Sequence, residues 1–102
     1  MDMNQMMQQA QQMQLELARA QEEIKNMTFE SAAGGGMVKA VANGAGQIDS
    51  IEIDPEAVDP DDVEMLQDMV LAAVNGALRG VSEAGEARMA SVTGGLNIPG
   101  LF

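Results

Sequence analysis

Along residues 1–27 the apolar positions fall at Met3, Met6, Ala10, Met13, Leu17, Ala20, Ile24 and Met27, in unbroken alternating steps of three and four. This spacing predicts a helix over 1–27 with a sustained heptad seam. At 1.5 Å per residue such a helix is roughly 40 Å long, against a radius of gyration near 13 Å for a compact chain of about 100 residues. It should therefore project from the body of the protein, and its apolar stripe asks for a partner. Met7 and Leu15 lie beside the seam. The methionines crowded into this segment either fill an irregular helix interface or form a pliable recognition surface, since unbranched thioethers adapt to different neighbours.

After Met27 the period changes. Thr28, Phe29 and Glu30 read as a short strand, and Gly34-Gly35-Gly36 supplies a turn without steric cost. Residues 37–42 form a second strand with Val38, Ala40 and Ala42 on one face and Met37, Lys39 and Val41 on the other. Asn43-Gly44 signals a hairpin whose loop is lengthened by Ala45-Gly46. In the third strand Ile51 and Ile53 are in phase while Ile48 is not, so either a bulge near Asp49 or Ser50 shifts the register or the other face is partly covered. Residues 28–54 thus make a three-stranded antiparallel meander with two open edges.

Asp59 and Pro60 then suit the cap and first position of a second helix over 60–92, with Asp61, Asp62 and Glu64 at the positive end of its dipole. That helix is roughly 50 Å long. Its apolar face takes in Val63, Leu66, Met69, Val70, Ala73, Val74, Ala77, Leu78, Val81 and Ala84. Ala72, Gly76, Gly80 and Ala84 recur every four residues, either as a groove for close packing or as tolerated weak helix positions. Thr93-Gly94-Gly95 closes the helix, with glycine available for a left-handed cap. The apolar Gly/Pro tail over 93–102 docks on the body, docks on a partner chain or stays mobile. The fold class is α+β in one domain over 1–102, ordered α-β-β-β-α. Two helices this long cannot both bury their stripes on a sheet about 20 Å wide, so a second copy is the economical cover.

Composition narrows the chemistry. The chain of 102 residues holds no Cys and no His, and its only aromatics are Phe29 and Phe102. Disulfides, thiolate chemistry, imidazole catalysis and the common zinc site are thereby removed, and a reducing cytoplasm fits best. No secretory signal or membrane-spanning run is present, and no membrane role is expected. Gly44-Ala45-Gly46 and Gly34-Gly35-Gly36 lead into strands and match no phosphate-binding loop. The aspartates at 54, 59, 61 and 62 lack the spacing of a calcium loop, and their best explanation is the helix start. Serines 31, 50, 82 and 91 have no base to activate them. The expectation is a protein that is not an enzyme and holds no metal or cofactor.

Charge sets up a tension. Five basic residues face sixteen acidic ones, for a formal net charge of −11, which repels polyanions. On the first helix Arg19 and Lys25 lie about 240° apart, and on the second Arg79 and Arg88 about 180° apart. Neither pair makes a basic stripe. Arg79 is placed to pair with Glu83 one turn on.

Taken together, MNQMMQQAQQMQ at the start, GGGMVKAVANGAGQIDSIEIDPEAV in the middle and MLQDMVLAAVNGALRGVSEAGEARMASVTGGLNIPGLF at the end resemble the YbaB/EbfC family of bacterial nucleoid-associated proteins over essentially the whole chain. The motifs that carry the resemblance are Gly35-Gly36-Met37-Val38-Lys39, Ile51-Glu52-Ile53-Asp54-Pro55, Ala72-Ala73-Val74-Asn75 and Thr93-Gly94-Gly95-Leu96. It implies a cytoplasmic, nucleoid-localised homodimer shaped like tweezers. Such a dimer binds double-stranded DNA with little sequence preference and influences nucleoid organisation and gene expression. The DNA contacts it implies fall on basic residues of the helices, here Arg79, Arg88, Arg19 and Lys25. Gly80, Gln8, Gln9 and Gln12 stand where basic residues are common in the family. Met6, Ala10, Met13, Leu17, Ala20, Ala72, Gly76 and Gly80 are the candidates for dimer or helix packing. The alternative reading is an acidic dimeric module that presents its Met- and Gln-rich helices to other proteins, with weak or no direct DNA contact.

Overall fold

The computed structural model describes residues 2–94. Its elements run α1 (Met3–Lys25), β1 (Thr28–Ala33), β2 (Val38–Asn43), β3 (Ile48–Ile53), a 3-10 turn (Pro55–Ala57) and α2 (Val63–Gly94). The α-β-β-β-α order expected from the periodicity is the observed one. The molecule measures 72 × 23 × 15 Å with a radius of gyration of 20.2 Å, well above the roughly 13 Å of a compact chain this long.

α1 starts where Asp2 caps it, its carboxylate accepting from the Gln5 N–H at 2.8 Å. Over most of its length α1 is exposed: Ala20 is buried, Leu17 and Ile24 are half-buried, and everything from Asp2 to Glu16 is exposed. The helix does project.

The sheet order is β1-β2-β3, antiparallel throughout. Its first turn uses left-handed backbone at Gly34, Gly35 and Gly36. At the second turn the Asn43 side chain accepts from Ala45 N–H at 2.9 Å, and the Asn43 carbonyl accepts from Gly46 N–H at 3.0 Å. β1 is longer than the short strand expected and pairs in full with β2, from Thr28 opposite Asn43 to Ala33 opposite Val38. Between β2 and β3 the register slips: Val41 faces Ser50, but Ala42 faces Ile48. Asp49 is the extra residue, so the expected bulge is present and returns Ile48 to the face of Ile51 and Ile53.

That face is the core. Val38, Ala40 and Ala42 are fully buried against Met69, Ala73, Ala77 and Val81, which recur every four residues on α2. Alanines on both sides let helix and strand approach closely. Each apolar square ångström removed from water contributes about 25 cal/mol, so this small-residue core gains by closeness rather than bulk. The helix lies along β1 and β2 and barely reaches β3.

The helix boundaries differ from expectation: α1 spans Met3–Lys25 instead of 1–27, with Asn26 closing it through its N–H to the Glu22 and Glu23 carbonyls. α2 begins at Val63 instead of Pro60 because Asp59 is spent on a local turn, its carboxylate accepting from Asp61 N–H at 2.9 Å. Asp62 is the cap, accepting from Met65 N–H at 3.2 Å. At the other end α2 continues to Gly94, where the Thr93 hydroxyl donates to the carbonyl of Met89 at 3.1 Å. Gly95 and the tail, with the proposed left-handed cap, lie outside the described residues.

Candidate functional site

The five cations occupy distinct settings. Arg19, Lys25 and Arg79 are exposed on the helices, and Lys39 is exposed on the outer face of the sheet opposite Glu52. Arg88 is held: its Nε donates to Glu23 Oε2 at 2.6 Å and its Nη1 to the Ser91 hydroxyl at 3.0 Å. This bond ties the late part of α2 to the last turns of α1, beside the contact between Gly85 and Ile24. The Arg88 hydrogen bond and positive charge lower the Glu23 pKa, with Arg19 one turn away adding to the effect. Glu23 in turn raises the Arg88 pKa. The expected pair between Arg79 and Glu83 is absent; among the described residues the ion pair is Arg88 with Glu23. An exposed i,i+4 pair gains only a few tenths of a kcal/mol, too little to fix two long side chains.

Because the Glu23 pKa is depressed in the folded chain, its contribution to stability is present above the ordinary carboxylate range and fades as pH falls through the lowered value. NMR titration of the Glu23 carboxyl should therefore give a midpoint below the ordinary glutamate value, and Arg88→Gln should return it toward that value. Glu23 was not among the residues singled out by sequence, since nothing local marks a partner 65 positions away.

The packing candidates divide among three settings. Met6 (56% exposed), Met13 (37% exposed) and Ala10 lie on the open part of α1, while Leu17 and Ala20 sit where α1 meets the body. Gly76 and Gly80 face β1 of the same chain, with Ser31 over the first and the Phe29 ring over the second. Ala72 continues this row at the exposed end, beside Ala33 and Gly34. The groove that these small residues make is thus occupied, at Gly76 and Gly80, by the chain's own strand.

On the opposite flank of α2 the apolar surface is uncovered. Leu66, Val70, Leu71 and Val74 line a shallow, almost wholly apolar trough. Leu71 is 60% exposed. Ile51 and Ile53 of β3 point to the same side of the sheet as the buried Ala40 and Val38 opposite them, yet remain 44% and 41% exposed because α2 stops short of β3. An apolar strip of this kind beside a small core marks an interaction surface. Among the described residues no helix is long and apolar enough to cross a membrane, and no cluster of three or more carboxylates is arranged to hold a metal ion.

The model of the YbaB/EbfC DNA-binding family matches residues 1–96. A nucleoid-associated protein of Thermoanaerobacter pseudethanolicus is 60% identical over 101 residues, covering 99% of this chain and 91% of that protein. A nucleoid-associated protein of Pelotomaculum thermopropionicum is 58% identical, covering 99% of this chain and 96% of the relative. Among solved structures, the crystal structure of an uncharacterized protein from Helicobacter pylori superposes with a TM-score of 0.69 at 27% identity, over 91% of this chain and 98% of that one.

Proposed function

Because the chain belongs to the YbaB/EbfC DNA-binding family, we propose that it is a nucleoid-associated homodimer that holds duplex DNA with little sequence preference and thereby affects nucleoid organisation and gene expression. The observation that carries this reading is the family match over residues 1–96. The cations exposed on the two helices, Arg19, Lys25 and Arg79, support it.

The electrostatics favour a particular mode. With a net charge of −11 the protein gains nothing from its overall field and must rely on a few local contacts. Arg19, Lys25 and Arg79 are the exposed helix cations available to phosphates, whereas Arg88 must first leave Glu23. Phosphate contacts fix position without reading bases, which accords with little sequence preference. The trough of Leu66, Val70, Leu71 and Val74 with Ile51 and Ile53 is the surface on which a second copy would dock, doubling the number of contacts.

The salt response tests this. Each phosphate neutralised contributes roughly −0.9 to the slope of log affinity against log salt. Replacing Arg79 with glutamine should reduce the steepness by about one unit for every Arg79 that touches a phosphate, with equal loss on unrelated duplexes. An unchanged slope would remove Arg79 from the interface. The alternative, an acidic interaction module without DNA contact, is favoured by one observation, the exposed and uncharged start of α1, and predicts no salt-dependent duplex binding at all.

A further inference from the structure

The seam of α1 is one stripe used in two ways. Its later part, at Leu17, Ala20 and Ile24, is buried or half-buried against the body; its earlier part, at Met3, Met6, Ala10 and Met13, continues uncovered. Met3 is 76% exposed, Met6 and Met7 are each 56% exposed, and Leu15 is 60% exposed. Nothing in the described fold explains a heptad repeat maintained over this stretch.

Charge indicates what covers it. Residues 3–15 contain no Asp, Glu, Lys or Arg, in a chain whose net charge is −11. Away from the apolar trough the acidic bodies resist a further copy, whereas a contact between two of these arms adds no like-charge repulsion. A partner of opposite charge would find no ion pair along residues 3–15. A neutral Met/Gln surface with heptad spacing is complementary to another of the same kind.

Direction follows from which residues each register brings together. The steps between Met3, Met6, Ala10 and Met13 are three, four and three, the same read from either end. An antiparallel pair therefore sets Met3 against Met13 and Met6 against Ala10, and the partner's arm ends before Leu17, where the body begins to cover the seam. A parallel pair would instead set Ala10 against Ala10, leaving a gap, and bring both Asp2 carboxylates and both helix dipoles to the same end. We infer that the first part of α1 is a second self-association surface, through which arms of two copies pair antiparallel and link one body to another. The pairing spans about two heptads and is correspondingly weak and concentration-dependent. It goes beyond the duplex-binding reading and does not depend on it.

The chain has no cysteine, so disulfide trapping is clean. Met6→Cys and Ala10→Cys, both on exposed positions, are made in the full-length protein and distinguished by tags. Under mild oxidation the mixture should yield a crosslinked pair containing one chain of each type, while each variant alone yields several-fold less. Equal crosslinking in the separate variants would indicate parallel arms and overturn the proposal, as would no crosslinking in the mixture. Repeating the mixture with Val70→Asp in both chains separates the arms from the body trough. The crosslink should persist there, and its loss would assign the contact to the body dimer and overturn the proposal. As a trap-free measurement, Met6→Glu with Met13→Glu should abolish the rise in average mass seen at high concentration by sedimentation. A rise that survives these like charges would also overturn it.

Discussion

Gly44→Ala is expected to destabilise the fold by about 3 kcal/mol or more, a drop on the order of 15 °C in Tm for a domain of this size. Gly44 donates its N–H to the Met27 carbonyl at 2.9 Å, which draws the β2–β3 turn onto the end of α1. A methyl group there would overlap the carbonyl oxygen of Ile24 and lie 3.1 Å from the Lys25 Cα. Both obstacles are backbone, and the last turn of a helix cannot yield as a side chain would. The turn and α1 must part, taking with them the packing of Ile24 on Gly85. Gly94→Ala, with nothing near its added methyl, is the matched control and should leave Tm nearly unchanged. Thermal unfolding followed by circular dichroism measures both.

Val70→Asp is expected to weaken self-association of the bodies by more than about 100-fold, the consequence of burying an unpaired carboxylate worth several kcal/mol. Val70 lies in the centre of the trough, between Leu66 and Val74, on the flank of α2 that faces away from β1. In the single chain Val70 is half-buried at the edge of the core, so the substitution also costs some folding stability, and circular dichroism recorded alongside should show the variant still folded. Sedimentation equilibrium at low micromolar protein should show the native chain at twice its 10.7 kDa mass and the variant near that mass itself. Glu86→Gln, on an exposed face, should leave the dimer intact. A variant that remained dimeric would move the interface elsewhere.

The fold was legible because its signals are periodic. A change from steps of three and four to steps of two located the end of α1, and the misphased Ile48 located the bulge that Asp49 creates. What the sequence concealed depends on distance or on competition. Asp59, Asp61 and Asp62 are all competent caps, and only the folded geometry shows that Asp59 makes a turn while Asp62 starts the helix. Periodicity put Ile51 and Ile53 in phase on one face of the strand, but how far α2 extends across that face is a matter of tertiary packing, which leaves both exposed.

The cationic surface was the least legible part. Arg88 and Arg79 look equivalent in the sequence, each a lone arginine on an acidic helix. In the fold one is bonded to Glu23 and the other stands in solvent. The small-residue row shows the same lesson: Gly76 and Gly80 announce a close approach, and the approaching element is β1.

Titration of a fluorescent duplex with the native protein at low salt, followed by anisotropy, tests DNA binding most directly. A saturable rise that is alike for unrelated sequences and falls steeply as salt is added is the predicted result. No rise even at high micromolar protein would contradict it.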